Sequence, residues 1–579
     1  MKDRGKTAGA AIAAPPWLLS AAGALLLWLA QPPMAWSLVG WIALVPWSVL
    51  VARPEPLGRR GYLGLWVAGS LFWLTTLQGI RLAHPALYPG WIVLGIYMGA
   101  YPPLFVGLAR VMRHAWRLPL ALAVPIAWTG LELIRSYAFT GFSIAMLGHS
   151  QADVAPMMQI VDTFGTYGVS FVLASVAAAL AQLLLAATAR AAMPAGETLA
   201  GETLDRETLA GGTLTGGALA GGLVAGSLVA ATLGYGYWRL AEADRLAEQP
   251  PLLDALLIQR NEPLVYSMDA EREAVVFNDY VSSTLAAMRE YPAADVVVWP
   301  ESMFTGGLPL RVLGESWSVP EETGMSASEF EDVIERQAAM FRSRAADIQR
   351  MAALAASRNA PPELLVGSSI HRYGETPQAF GGAVHITADH EIAAWYGKMH
   401  LVMFGEYIPF GTHFPWLYEI GPLRQGATPG DGPVEMTIAG TRVAPSVCFE
   451  TMVEQVTGNS LRQLARRGGD PQLILNITND AWFHGASILD HHRRCSQSIA
   501  VANRRPLLMA ANQGPTVWID GSGRRIESLP FEVDRPLLAQ PTADGRWSVY
   551  RQLGDKLVWP LAILCAAAAA SGWRGRKRS

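Results

Sequence analysis

Eight apolar stretches, each long enough to cross a bilayer, run through this chain and leave one long polar segment between the seventh and the eighth. They read as 14–31, 35–52, 62–80, 91–109, 118–137, 167–188, 216–236 and 556–573. A hydrocarbon core about 30 Å thick takes roughly 20 mostly apolar residues per helix. A chain inside it must satisfy its own backbone, so helices are the fold these stretches can adopt. Charged residues are only 16% of the 579, where about 25% is usual, so much of the chain is predicted to lie in lipid.

Basic residues set the expected orientation. Lys2, Arg4 and Lys6 precede the first stretch, which reads as a signal anchor because further spans follow it at once. Arg53, Arg59 and Arg60 lie in the second inter-span loop, Arg110, Arg113 and Arg117 in the fourth, and Arg574, Arg576, Lys577 and Arg578 in the tail. Eight spans put all four groups on one side, the cytoplasm, where short loops collect Lys and Arg. Residues 237–555 then face the other side, which in a diderm bacterium is the periplasm. Span five carries Glu132 and Arg135. At i and i+3 they either pair with each other or mark a function, since charges in a span are costly. Residues 196–217 repeat every five positions (Gly-Glu-Thr-Leu-Ala, Gly-Glu-Thr-Leu-Asp and onward). That period suits neither helix nor strand, and the segment is expected to be a flexible cytoplasmic loop. The domain layout expected is 1–240 in the membrane, 241–550 outside it, and 551–579 as a last span and tail.

The polar segment alternates short apolar runs with amphipathic ones. Strands are predicted at 253–259, 294–299, 363–369, 382–388, 391–396, 434–438, 442–447, 472–477, 507–511 and 515–519. Helices are predicted at 269–290, 326–358 and 488–504. Val/Ile/Leu-rich runs of this length suit strands covered on both faces, and such strands with helices outside make an α/β layered domain. Ala388-Asp-His-Glu391 and Asp520-Gly-Ser-Gly523 read as hairpin turns. A net charge of −3 gives no support for a nucleic-acid partner, and no phosphate-binding or dinucleotide fingerprint occurs.

Three cysteines cannot form a disulfide framework. Cys565 sits in an apolar run and reads as a small core residue. Cys448 ends the run Val443-Ala-Pro-Ser-Val447. A sulfur at a strand-to-turn bend can act as a nucleophile if a base or cation favours the thiolate, although a lone cysteine after a strand is more often core. Glu301 follows Val-Val-Val-Trp-Pro300, at the strand end where α/β sites gather, and suits a general base. Lys398 lies among aromatic and apolar residues, unlike a solvated lysine, and suits a stabiliser of thiolate and oxyanion. Glu406 and Glu450 stand close enough in sequence to orient these groups. Asn476-Ile-Thr-Asn479-Asp-Ala-Trp482-Phe-His-Gly485 is dense in hydrogen-bonding side chains and is expected to hold the cysteine turn in place. His491, His492, Arg493, Arg494 and Cys495 read as a solvated helix face that can touch a lipid phosphate. Adjacent histidines diverge on a helix, so no metal site is expected there.

Together, Trp-Pro-Glu301, Gly-Lys398-Met-His-Leu and Ser-Val-Cys448-Phe-Glu450 resemble the Glu-Lys-Cys triad of the nitrilase (carbon-nitrogen hydrolase) superfamily. The spans, with Trp128-Thr-Gly-Leu-Glu132-Leu-Ile-Arg135, and the motifs Phe-Gly-Glu406-Tyr-Ile-Pro409 and Asn479-Asp-Ala-Trp482-Phe are similar to apolipoprotein N-acyltransferases. The resemblance covers nearly the whole chain. It implies a nitrilase-like αββα sandwich outside the cytoplasm and about eight transmembrane helices. It also implies a cofactor-free enzyme of the bacterial inner membrane, acting as a monomer. Its donor would be a phospholipid and its acceptor the diacylglyceryl-cysteine of an apolipoprotein. In that reading Glu301 is the base, Lys398 the oxyanion partner and Cys448 the nucleophile, with Glu406 and Glu450 as supporting acids. An amidase-like hydrolase with the same triad, or a relative with another acyl acceptor, is the alternative. The chain departs from the family pattern where substrates are bound: Phe449 replaces a tyrosine, Met403 a proline, Ser143-Ile144 a Pro-Trp pair, and Met268 a tryptophan. Asn479 and Trp482 belong to the same substrate-facing set.

Overall fold

The computed structural model describes residues 14–139, 141–192, 204–263, 270–411, 413–420 and 426–576. They divide into two compact units. One draws on Met1–Gln78, Tyr88–Leu240 and Leu553–Ser579, the other on Gly79–Leu87 and Ala241–Gln552.

The first unit is helical: α1 (Pro16–Ala30), α2 (Val45–Ala52), α3 (Arg59–Thr76), α4 (Tyr88–Met98), α5 (Tyr101–Arg110), α6 (Leu120–Tyr137), α7 (Thr166–Ala192), α8 (Leu204–Leu246) and α13 (Trp559–Arg576). Among the described residues, four helical stretches are long and apolar enough to cross a membrane: Pro85–Ala115, Thr166–Thr188, Gly217–Leu246 and Val549–Arg574. Pro16–Ala30 and Ser37–Ala52 are apolar but shorter. The centre of this unit is α6, packed against α7 and α13 around Leu133, Met146, Tyr167, Val558 and Ala562. Gly130 permits the contact with α13, because a Cβ there would lie 2.6 Å from Cys565 Sγ and 2.7 Å from the Leu561 carbonyl. Small residues at helix crossings serve this purpose in lipid, where packing rather than water exclusion drives association. Cys565 is buried at that crossing, as its apolar setting in the sequence indicated.

Glu132 and Arg135 lie within each other's field but make no direct ion pair. Glu132 Oε1 accepts from Trp128 Nε1 at 2.9 Å and from the Leu147 N–H at 2.7 Å. The Arg135 guanidinium lies 4.8 Å over the Trp73 ring. The five-residue repeat also departs from expectation. Residues 204–217 are the first turns of α8, and 196–203 fall outside the described residues. Leucine and alanine recur often enough there to extend the helix backward from the apolar span, against the helix-weakening glycines.

The second unit is built on two sheets. The first has the order β13-β1-β2-β4-β5-β6, with β3 also on β4; the second runs β12-β11-β10-β9-β8-β7. Their strands are β1 (Ala255–Gln259), β2 (Val296–Trp299), β3 (Leu310–Leu313), β4 (Glu363–Tyr373), β5 (Pro377–Ile386), β6 (Ile392–Gly397), β7 (Met436–Ile438), β8 (Thr441–Val447), β9 (Leu473–Thr478), β10 (Leu507–Ala511), β11 (Val517–Ile519), β12 (Arg525–Ser528) and β13 (Arg535–Ala539). The central strands β1-β2-β4 and β8-β9-β10 run parallel, β3 joins β4 in parallel, and the remaining pairs are antiparallel.

Alternation sorts each central strand's side chains onto two faces. Leu257, Val296, Val298, Leu365, Val443, Val447, Leu475, Ile477 and Leu508 meet between the sheets. On the outer face of the first sheet, Leu256, Val297, Trp299 and Leu364 pack with Tyr280 of α9 (Ala270–Glu290) and Phe341 of α10 (Ala327–Ala355). On the outer face of the second, Ile474, Leu507 and Met509 pack with Leu461 of α11 (Glu454–Arg466) and Ile499 of α12 (Ile488–Asn503). The result is the four-layer αββα order. Ser326 starts α10 with a reciprocal cap: its hydroxyl accepts from the Glu329 N–H while Glu329 accepts from the Ser326 N–H at 2.8 Å. The α12 segment is not a solvated face. All of it except Asp490 is buried, and Arg493 and Arg494 pair with Asp490 at 2.6 and 2.9 Å.

Candidate active site

The parallel strands β2, β8 and β9 end on the same side, and their C-terminal turns bring the functional side chains together. Strand β8 stops at Val447, and the backbone swings to φ +54° at Cys448 before a single 3-10 turn, Cys448–Met452. A left-handed residue with a side chain costs about 1–2 kcal/mol, so something must hold the bend. The Asn476 amide donates to the Cys448 carbonyl at 3.0 Å. Glu450 does the rest. Its carboxylate accepts from the Val447 N–H at 2.8 Å, from the Met399 and His400 N–H groups at 2.8 and 3.0 Å, and from Tyr396 Oη at 2.9 Å. Met399 and His400 directly follow Lys398. One buried carboxylate therefore clamps the cysteine turn to the lysine loop.

Lys398 closes β6. Its N–H donates to the Gly381 carbonyl at 2.9 Å, and its carbonyl accepts from Gly430 at 2.8 Å. Gly430 has to be glycine, because a Cβ there would sit 2.1 Å from the Gly397 carbonyl. The Lys398 side chain is 1% exposed, with Nζ 2.7 Å from Glu406 Oε1 and 3.6 Å from Glu301 Oε1. Glu406 Oε2 accepts from the Val402 N–H at 2.8 Å, which fixes the loop that carries it.

Glu301 lies in the turn after β2, its side chain 12% exposed. The chain there rests against β4, where a Cβ on Gly367 would meet the Pro300 carbonyl at 2.3 Å and Glu301 Cα at 2.5 Å. Glu301 Oε2 accepts from the Asn479 N–H at 3.1 Å. The Asn479 side chain is anchored by Asn512, which also bonds Tyr280 Oη and both the N–H and the carbonyl of Glu262.

Electrostatics follow from this crowding. Burial pushes the Glu301 carboxyl above the usual carboxylate range; Glu406 and Asp480 push it further, while Lys398 and the Asn479 N–H pull it down. Burial alone would lower Lys398, but the facing Cys448, Glu301 and Glu406 outweigh it and hold the ammonium well above its usual range. Burial and Glu301 push the Cys448 thiol well up, with Lys398 as the opposing charge. The resting site is a thiol beside a fixed cation, with a carboxylate whose hold on a proton is strengthened by burial. That is the requirement for a base-activated nucleophile.

The residues singled out in the sequence fall into place unevenly. Glu301, Lys398, Cys448, Glu406, Glu450 and Asn479 form one connected set. Phe449 is half-buried, its ring 5.1 Å from Phe483 and 5.6 Å from His492. Trp482 is exposed on the turn Asp480–Phe483. Met268 lies outside the described residues. Sequence reasoning did not find Tyr396, Gly367, Gly430 or Asn512. Their parts depend on contacts between distant segments; Asn512, in Asn512-Gln-Gly at a strand end, and Gly430, in Pro429-Gly-Asp-Gly432, carried local turn signals that say nothing of these contacts.

Residues 23–179 match the apolipoprotein N-acyltransferase N-terminal domain, and residues 255–539 match the carbon-nitrogen hydrolase family. The apolipoprotein N-acyltransferase of Rhodopirellula baltica is 35% identical over 97% of this chain and 99% of its own length. Those of Geobacter metallireducens and Nitrosomonas europaea are each 26% identical, over 96% and 89% of this chain and 95% and 88% of their own lengths. With both halves matched in order and a relative this similar from end to end, the chain belongs to the apolipoprotein N-acyltransferase family.

Proposed function

We propose that this protein moves a fatty acyl chain from a phospholipid to the α-amino group of an apolipoprotein's diacylglyceryl-cysteine, through a thioester on Cys448. The observation that carries the reading is the meeting of Cys448, Lys398 and Glu301 at three strand ends, with the Lys398 ammonium 3.6 Å from Glu301 and inside the field of the thiol. Glu301 takes the Cys448 proton, and the sulfur attacks the carbonyl of the sn-1 ester. Lys398 faces the oxyanion that develops, a fixed charge in a site from which water is largely excluded. The C–O bond breaks, Glu301 returns the proton to the departing oxygen, and a lysophospholipid leaves behind the thioester. The acceptor amine then attacks, Glu301 receives its proton, the C–S bond breaks, and an amide and a free thiol remain. Glu406 keeps Lys398 charged and aimed, and Glu450 keeps the lysine and cysteine in register.

The membrane half fits a donor that never leaves lipid. An eight-span arrangement with both termini in the cytoplasm accounts for the basic groups around Arg53, Arg110 and Arg574. It places the catalytic half on the periplasmic face of the inner membrane, where lipoproteins are matured. The test is a transfer assay in detergent–phospholipid micelles with a synthetic diacylglyceryl-cysteinyl peptide. N-acylated peptide and lysophospholipid formed in equal amounts support the reading. Lysophospholipid and free fatty acid without acylated peptide would show a hydrolase instead.

A further inference from the structure

Behind the Cys448 turn lies a buried polar group that the mechanism does not use. His492, on α12, is fully enclosed. Its Nε2 stands 2.8 Å from Thr451 Oγ1, and Thr451 belongs to the turn that carries the thiol. Ser496, one helical turn along α12, donates its hydroxyl to the same Thr451 oxygen at 3.1 Å. The Thr451 proton is then free to bond His492 Nε2, which assigns the ring proton to Nδ1. Nδ1 stands 3.8 Å from Asp480 Oδ1. Asp480 is itself fully buried; its Oδ1 accepts from Thr478 Oγ1 at 2.7 Å, and its Oδ2 has no hydrogen-bond partner. The edge of the His492 ring also meets Phe449, the residue after the nucleophile, at 5.6 Å. His492 thus touches the cysteine turn at two points, and its Nδ1, which makes no hydrogen bond, lies 3.8 Å from an under-coordinated carboxylate. That carboxylate acts by charge on both Cys448 and Glu301.

We propose that His492 is a positioning residue for Cys448: it locks the turn through Thr451 and Phe449, and it directs Nδ1–H at Asp480 to shield the thiolate from that buried charge. The inference rests on Cys448 being the nucleophile, so its test reads the thiol itself rather than lipid transfer. The groups facing the ring are Asp480 from the turn after β9 and Thr451 and Phe449 from the cysteine turn; Ser496, from its own helix, reaches it only through Thr451. Lys398, Glu301 and Glu406 complete the charges acting on the thiol.

The experiment is iodoacetamide alkylation of Cys448 in the full-length protein, followed at the Cys448 peptide by mass spectrometry across pH. His492→Gln, Asp480→Asn and the double variant are run beside wild type. Without the shield, the His492→Gln midpoint moves to higher pH and the rate at pH 7 falls about threefold to tenfold. Asp480→Asn moves the midpoint to lower pH, and in the double variant it restores the rate lost in His492→Gln. A merely structural role would lower the melting temperature of His492→Gln without moving its midpoint, and that result overturns the proposal. So does a double variant as slow as His492→Gln. Should His492→Gln fail to fold, His492→Asn takes its place in the same cycle, and a midpoint equal to wild type rejects the shielding. In a parallel incubation with phospholipid, absence of any acyl adduct on wild type would reject the nucleophile assignment and the proposal with it, whereas an adduct with no midpoint shift rejects the proposal alone.

Discussion

Two glutamates, each in the turn that ends a central strand, sit in opposite surroundings in this protein. Glu450, after β8, is sealed at 1% exposure and accepts hydrogen bonds from three backbone N–H groups and a tyrosine. Glu301, after β2, keeps a 12% opening; its carboxylate has one backbone N–H and a lysine at 3.6 Å. Burial raises both carboxyls. In Glu450, hydrogen bonds oppose that rise; in Glu301, Glu406 adds to it, and the main opposition is the charge of one lysine. A carboxylate saturated by fixed donors is a clamp. One left short of donors, beside a cation and open to a substrate, can take up a proton and release it.

The largest effect expected falls on neither glutamate. Cys448→Ala abolishes transfer, while Cys448→Ser leaves slow transfer because an oxyester reacts less readily with amines than a thioester; peptide acylation measures both. Glu301→Gln lowers kcat by about 10²–10⁴-fold, the usual worth of a positioned acid–base group, with the melting temperature close to wild type. Glu450→Gln breaks the comparison from the other side. An amide has one acceptor and one donor end, so it cannot satisfy the Val447 and the Met399/His400 N–H groups together. A loss of about 1.5–3 kcal/mol in stability is expected, read from denaturant melts, with activity falling alongside. If Glu301→Gln unfolds the protein and Glu450→Gln leaves it intact, the assignment of roles is reversed.

Two smaller tests sharpen the account. Gly367→Ala forces the Glu301 turn off β4, and a misplacement of about 1 Å costs on the order of 10²-fold in kcat/KM; saturation kinetics would show it. Glu406→Gln removes a negative charge that raises Glu301, so the Glu301 carboxyl falls and the acid limb of the kcat profile moves to lower pH. A shift to higher pH would show that loss of Lys398 positioning outweighs the charge effect.

How far the sequence foretold this depends on whether a feature is local. The ten strands predicted are all present, because runs such as Val296-Val-Val-Trp299 and Leu473-Ile-Leu-Asn476 are apolar on both faces. Strands β3, β12 and β13 were not found. Arg525-Ile-Glu-Ser528 is exposed and charged, Arg535-Pro-Leu-Leu-Ala539 opens with a proline, and Leu310-Arg-Val-Leu313 is only partly covered. Helix α11 was missed because Gly458 and its many polar residues mask the sparse apolar stripe. Glu301, Lys398 and Cys448 were legible as strand-end motifs. The clamp at Glu450 was not, because two of its backbone donors, the Met399 and His400 N–H groups, come from a distant segment and any sequence supplies those. The buried state of His491–Arg494 was likewise hidden: four polar residues in a row read as surface until Asp490 is seen pairing with both arginines.

The measurement closest to the central claim is intact-mass spectrometry of the purified protein after incubation with phospholipid and no acceptor, wild type beside Cys448→Ala. The account predicts one added acyl mass on wild type, removed by hydroxylamine, lost on addition of a diacylglyceryl-cysteinyl peptide, and absent from the variant. An adduct that persists in Cys448→Ala, or lysophospholipid released by wild type with no adduct formed at any time, would contradict the thioester.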